Sequence, residues 1–418
     1  MLTINRAIGS TSKWIAITLA CIIVAAPAAA QIGANLERFV VVGDSLTAGF
    51  QNFSLFDSDT IPYPPTPGLP KPGGQKFGYA ALVAHQAGIN LKLPLFTWPG
   101  IPPALVLGPG GVLQRGTTVG LRENPAEQTY NLSVPGFTIG DALAHPFPGT
   151  PLTNPIDAMS DLILATPGNV VPGCGPIPAV FLPAMEQPSA FGVSELACAI
   201  ALRPTIVLVS LGNNDALQTI TAGIPPTNPL AFAARLGVLL TGLAVTRAKI
   251  VVSNIPDVTV VPFLVPVPTF MALCRTTTPP SGATLSDFIV PNISDPAAIT
   301  FNVCTNYSIR PAALVARAQD AVHAYNNIIH ALAGRYGAAV VDVHLVVANL
   351  ARHGYPVGGK VLTTAYLGGL FSLDAIHPTN TGYAIIANET IKTMNTRLRT
   401  ALPLIDVAAI AATDPQVP

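Results

Sequence analysis

Charge is what this chain has least of. Only 10% of its 418 residues are Asp, Glu, Lys or Arg, 21 of each sign, so the formal net charge is zero. Soluble domains carry about 25%. There is no basic run or stripe to give nucleic-acid binding an electrostatic footing. Nor is there a polybasic segment for anionic lipid. Cysteine is scarce too: none of the five stands in a C-x-x-C pair, so the spacing of a zinc site or a redox dithiol is missing. Long apolar runs are absent. A membrane span needs about 20 residues; Trp14–Ala26 is shorter, and Val260–Cys274 is broken by Pro262, Pro266 and Pro268. No repeat recurs at a fixed period.

What the chain has in excess is proline, 42 residues, about twice the usual share of ~5%. The prolines cluster in Gln51–Asn124, Ala144–Pro188 and Pro256–Arg310. These stretches are expected to be long stiff loops inserted around a functional site, because loops of such length are usually functional or disordered. The first residues have the pattern of a secretory leader. Arg6 and Lys13 precede the short apolar run, and Ala28-Ala29-Ala30 precedes Gln31. Residues 1–30 are therefore expected to be a signal peptide cleaved near Ala30, leaving 31–418 as a single exported domain. The other reading of the leader is lipid attachment at Cys21. With the leader removed, Cys174, Cys198, Cys274 and Cys304 remain. An even number in an exported chain suggests two disulfides. Pairing of sequence neighbours closes the shorter loops, although four cysteines allow three connectivities.

Five apolar runs are expected to be buried parallel strands: Arg38–Val42, Gln128–Leu132, Thr205–Leu211, Lys249–Ser253 and Ala338–Val343. Helices are expected at Pro229–Val245, Pro311–Leu332 and Thr381–Leu398. The middle one repeats apolar residues with the period of a helix, at Leu314, Ala318, Val322, Tyr325, Ile329 and Leu332. Alternating strands and helices predict an α/β fold around a parallel sheet.

Three polar motifs stand just beyond strand runs. They are Gly43-Asp44-Ser45, Asn131-Leu132-Ser133-Val134-Pro135-Gly136 and Gly212-Asn213-Asn214-Asp215. In an open parallel sheet all three reach the carboxyl edge, where ligands bind. Acyl transfer assigns them roles. Ser45 would be the nucleophile. The backbone N–H groups of Ser45 and Gly136 and the side-chain amide of Asn214 would hold the oxyanion. The base would be His377, on a loop before a helix, with Asp374 three residues earlier to fix its tautomer. His145 with Asp141 is the rival pair, and Asp342 a rival orienter better read as a strand-end residue bonding a loop. Asp57 and Asp59 are expected in a solvated turn rather than a metal site.

Taken together, GDSLT around Ser45, NLSVPG around Gly136, GNND around Asn214 and DAIHP around Asp374 and His377 resemble, in order, the four blocks of the SGNH hydrolases of the GDSL lipase/esterase family. The segment around Ile255-Pro256-Asp257 is similar to that family's strand and loop before the last block. The resemblance implies a flavodoxin-like three-layer α/β/α fold and metal-independent ester hydrolysis through a Ser-His-Asp triad. It implies no cofactor and a small-molecule or lipid ester as partner. The same residues would also serve an acyltransferase or a carbohydrate deacetylase, and an inactive surface-binding protein could keep the fold. The three Pro-rich segments depart from compact members. Pro94–Gly108 and Val260–Leu273 are their most apolar parts, expected to form an apolar wall beside Ser45 that favours medium or long acyl chains over acetate.

Overall fold

The computed structural model describes residues 34–61, 73–146, 155–164, 192–292 and 300–418. The leader, and with it Cys21 and Ala30, lies outside them, as does most of Ala144–Pro188. Among the described residues no helix is long and apolar enough to cross a membrane.

Four of the five expected strands form one parallel sheet: β1 (Phe39–Gly43), β2 (Ile206–Ser210), β3 (Lys249–Ser253) and β4 (Ala339–Val341), hydrogen-bonded in that order. Phe39 pairs with Ile206 and Gly43 with Ser210, so β1 and β2 end level at their carboxyl edge. Side chains alternate across the pleat. Val40, Val42, Val207, Val209, Ile250 and Val252 enter one core, with Leu196, Leu236, Leu240, Val322 and Ile329 of the helices Glu195–Ala201, Pro229–Val245 and Ala312–Tyr336. Phe39, Val41, Ile206, Leu208, Val251 and Val341 enter the other, against Tyr79, Val83, Tyr383 and Ile391 of Tyr79–Gln86 and Asn380–Leu398. Both faces are covered. That is why the strands read as unbroken apolar runs rather than alternating ones.

The fifth expected strand, Gln128–Leu132, is not a strand. It runs parallel to β1 on the outer side through a single bridge, Val41 to Asn131. Three backbone hydrogen bonds hold it: Val41 N–H to Tyr130 O, Leu132 N–H to Val41 O and Val134 N–H to Gly43 O. The ladder fails on the far side. The N–H groups of Tyr130 and Asn131 both turn to Lys92 O, and Asn131 spends its own side chain on Thr47 O and Ser133 N. Counting this segment, the spatial order by chain position is 2-1-3-4-5. That is the flavodoxin-like order, and its switch point lies between β1 and β2, where ligands bind.

The helices sit close to their expected bounds. Pro229–Val245 is as read. Ala312–Tyr336 takes Pro311 as its cap rather than within its first turn, and ends on Gly337 with φ 63° rather than at Gly334. The Pro-rich segments are less uniform than expected. Tyr79–Gln86, inside Gln51–Asn124, is a framework helix packed on Asn380–Leu398. Within Pro256–Arg310, the short strands Val265–Pro266, Phe288–Pro291 and Tyr307–Arg310 pair antiparallel around their own small core of Val267, Phe270 and Ile289. Cys274 and Cys304 are disulfide-bonded there, the expected neighbour pairing. Cys198 is buried and disulfide-bonded; Cys174, its expected partner, lies outside the described residues. Asp57 is buried, not solvated. It caps a short turn and pairs with Lys76 at 2.8 Å, while Asp59 stays at the surface.

Candidate active site

β1 ends in a turn that leaves no room for error. A side chain at Gly43 would meet Thr47 Oγ1 at 2.1 Å and Ser210 O at 2.9 Å. Asp44 then caps the four-residue helix Ser45–Ala48 by accepting from Leu46 N, which sets Ser45 on the first helical residue at the sheet edge. Burial pushes the Asp44 carboxyl up to about 6, against the Asn213 amide that donates to it at 2.7 Å. This bond ties the first motif to the third, so Asp44 holds the turn.

No hydrogen bond within the described residues engages the backbone N–H of Ser45 or of Gly136. Gly136 has φ 89°, a conformation that glycine adopts without strain. Asn214 lies in the first turn of the helix Asn213–Thr221 and donates one amide hydrogen to Phe137 O at 2.9 Å, which leaves the second N–H of its NH₂ group for a ligand. Asp215 organises the loop behind it by accepting from Ile139 N.

His377 is almost fully buried, on the loop before Asn380–Leu398, and its Nδ1 lies 2.9 Å from Asp374 Oδ2. Asp374 also accepts from the N–H groups of Phe53, Ile376 and His377. Burial by itself would raise this carboxyl. The charge and hydrogen bond of His377, with the backbone donors, outweigh burial and hold it below the ordinary carboxylate range. An ionised carboxylate can only accept, so the imidazole proton sits on Nδ1 and Nε2 keeps its lone pair. The ring is further fixed edge-on against Phe50, centroids 4.9 Å apart.

Ser45, Gly136, Asn214 and His377 line one cavity of about 420 Å³. Ser45 and His377 also line a second, narrower one of about 70 Å³. No hydrogen bond joins Ser45 Oγ to His377 in the structure. The other pairs lie elsewhere. His145 and Asp141 meet at 3.1 Å behind Phe137. Asp342 caps the helix Val343–His353 and accepts from Asn254. Among the described residues no group of three or more His, Cys, Asp or Glu could hold a metal ion.

Two supports of the site carry no motif. The Gln51–Ser54 turn is clipped to the His377 loop. Asn52 and Phe53 have φ 51° and 58°; Asn52 N–H donates to Ser372 Oγ, Asn52 Oδ1 accepts from Leu373, and Phe53 N–H reaches Asp374. The second support is Glu195. Its fully buried carboxyl accepts from Gly43 N at 2.7 Å and from Val134 N at 3.2 Å, joining the strand end before Ser45 to the segment before Gly136. Burial raises its pKa well above the usual range, against those two N–H groups. Glu195→Ala leaves the Gly43 N–H unpaired in the interior, while Val134 N–H keeps its bond to Gly43 O. The expected cost is about 1–3 kcal/mol, read as a lower urea midpoint at unchanged slope. A midpoint within error of wild type would show that the clamp carries no stability.

Solved structures similar to the chain include LAE5, an alpha/beta hydrolase enzyme from the metagenome of Lake Arreo, Spain; identity is 13% over 87% of this chain and 97% of that one, with TM-score 0.38. A catalytic mutant of Axe2, an acetylxylan esterase from Geobacillus stearothermophilus, matches at 13% identity over 88% and 99%, TM-score 0.37. A GDSL-like lipase structure from Parabacteroides merdae matches at 13% over 87% and 99%, TM-score 0.34. No curated protein sequence matches. The family profile of GDSL-like Lipase/Acylhydrolase matches residues 39–390. The chain spans the sheet, the three edge motifs and the Asp374–His377 loop within that match, and it belongs to the GDSL-like lipase/acylhydrolase family of hydrolases.

Proposed function

We propose that the protein is an exported serine esterase that cleaves carboxylic esters through an acyl-enzyme on Ser45. The observation that carries this reading is the His377–Asp374 pair, with its tautomer fixed, in the cleft that also holds Ser45, Gly136 and Asn214. Nε2 of His377 takes the Ser45 proton as Oγ bonds to the ester carbonyl carbon. The carbonyl oxygen gains the negative charge and is held by the N–H groups of Ser45 and Gly136 and the amide of Asn214. Collapse breaks the bond to the alcohol oxygen, which leaves with the proton from His377. Water then enters and gives a proton to His377 as its oxygen bonds to the acyl carbon; the carbon–Oγ bond breaks, that proton returns to Ser45 Oγ, and the acid leaves. Export is supported by the leader pattern of residues 1–30 and by the Cys274–Cys304 disulfide, a bond that persists in oxidising compartments.

A panel of esters varied in acyl and alcohol parts, with Ser45→Ala as the blank, tests the reading. Turnover equal in both proteins would remove it. Asn214→Ala deletes one of the three donors, and kcat is expected to fall by roughly 10²–10³ with a smaller change in KM. A loss confined to KM would place Asn214 in ground-state binding.

A further inference from the structure

The Pro-rich segments supply part of the apolar wall at Ser45, through Phe53, Pro102, Met159, Val258, Val261 and Phe263. From Pro94–Gly108 only Pro102 lines a cavity at Ser45, and from Val260–Leu273 only Val261 and Phe263 do. The narrow cavity is cut mainly into the framework. Val343, Val347 and Leu350 line it from the helix Val343–His353, at the spacing of one helical face. Leu370 and Phe371 line it from the loop before His377, and Ile386 from the helix Asn380–Leu398. Val347, Leu350 and Phe371 are only partly buried, so a channel of apolar side chains starts at Ser45 and His377 and runs between two helices.

We infer that this narrow arm is the binding site for an aliphatic acyl chain, and that the wider arm takes the alcohol part of the ester. The inference rests on the esterase reading above. A tetrahedral centre on Ser45 has three other substituents. Its oxyanion belongs with Gly136 and Asn214, which line the wide arm. The leaving oxygen must stay within reach of His377, and the wide arm offers Gln218 and Thr221 to hydrogen-bond a polar alcohol around it. The acyl carbons take the remaining direction. The narrow arm's walls suit them, because beyond Ser45 and His377 they are apolar apart from Asn213, Asp257 and Thr364, so a hydrocarbon chain gives up no hydrogen bond there, whereas a hydroxylated alcohol would leave most of its hydroxyls unpaired. An aliphatic chain also restores the dispersion contacts that an empty apolar slot forgoes. The substrate class is an ester of a medium-chain fatty acid with a polar alcohol.

The experiment is kcat/KM for p-nitrophenyl esters from acetate to decanoate, below their micelle concentrations, on the full mature chain and on Val347→Trp. In wild type kcat/KM rises with acyl length by at most about fourfold per buried methylene, then levels once the arm is filled. Octanoate is expected to exceed acetate at least about tenfold. In Val347→Trp the indole occupies the arm, and the octanoate-to-acetate ratio falls about tenfold or more. Ile224→Trp, at an exposed position on the wide arm, leaves that ratio in place and lowers turnover of esters with bulky alcohols. If Val347→Trp does not fold, the wild-type profile and Val347→Ala, which widens the arm and moves the optimum to longer chains, decide the question. A wild-type profile that peaks at acetate overturns the arm alone, as does an unchanged ratio in folded Val347→Trp. Folded wild type that turns over no ester, with Ser45 inert to a fluorophosphonate, overturns the esterase reading itself.

Discussion

Ser45→Ala and His377→Ala are each expected to lower kcat by about 10⁴–10⁶, with the fold retained. Neither side chain belongs to the hydrophobic core: Ser45 and His377 line the cleft, and the helix Ser45–Ala48 keeps its cap in the alanine variant because Asp44 supplies it. The two losses should not add. Once the hydroxyl is gone the imidazole has no proton to take, and once the imidazole is gone the hydroxyl is a weak nucleophile at neutral pH. The double variant therefore falls no more than a fewfold below the worse single one. Losses that multiply would mean that the two residues act in separate steps. Circular dichroism and a denaturation midpoint on each variant separate lost chemistry from lost structure.

Asp374→Asn is the second large effect, about 10⁴ in kcat, and its cause can be followed atom by atom. Asp374 Oδ2 accepts from both Phe53 N–H and His377 Nδ1–H. An asparagine that keeps its oxygen on the backbone donors of Ile376 and His377 turns its NH₂ toward Phe53 and the imidazole. To avoid two donors facing each other, the ring shifts its proton to Nε2 and loses the lone pair that should receive the Ser45 proton. Stability responds with a definite sign. The folded carboxyl ionises below its unfolded value, which is about 3.9. Its contribution is fully present above about pH 4 and is lost as pH falls through the lower folded value. The stability gap between wild type and Asp374→Asn should therefore be widest near neutrality and narrow as pH drops below about 4. A gap that widens on acidification would contradict the assigned charge state.

How much of this could be read from the chain depended on how local the signal was. β1, β2 and β3 were legible because a strand buried on both faces is an uninterrupted apolar run, and the two helical cores take alternate residues of the same strands. The segment Gln128–Leu132 is interrupted by Gln128, Thr129 and Asn131 and makes only one bridge, because its Asn131 side chain competes for the backbone. Asp374 and His377 were legible as a pair because they stand three positions apart in one tight loop, which their own hydrogen bonds close. Glu195 was not, since the groups that define it stand 152 and 61 positions away. Phe53 escaped for the same reason: it acts through its backbone N–H on a carboxylate 321 residues downstream. The walls of the narrow arm were hidden differently. Val343, Val347 and Leu350 have the spacing of any apolar helix face. Only the packing of Val343–His353 near Asn380–Leu398 shows that this face borders a cavity at Ser45 rather than closed core.

The central claim is that Ser45 is a nucleophile activated by His377 and Asp374. Its most direct test is covalent. Folded mature protein is treated with a fluorophosphonate, and the site of modification is mapped by peptide mass spectrometry. One adduct per chain is expected, on Ser45, absent in Ser45→Ala and strongly slowed in His377→Ala and Asp374→Asn. An adduct on a different residue, or labelling of Ser45 at the same rate when His377 is alanine, would contradict it.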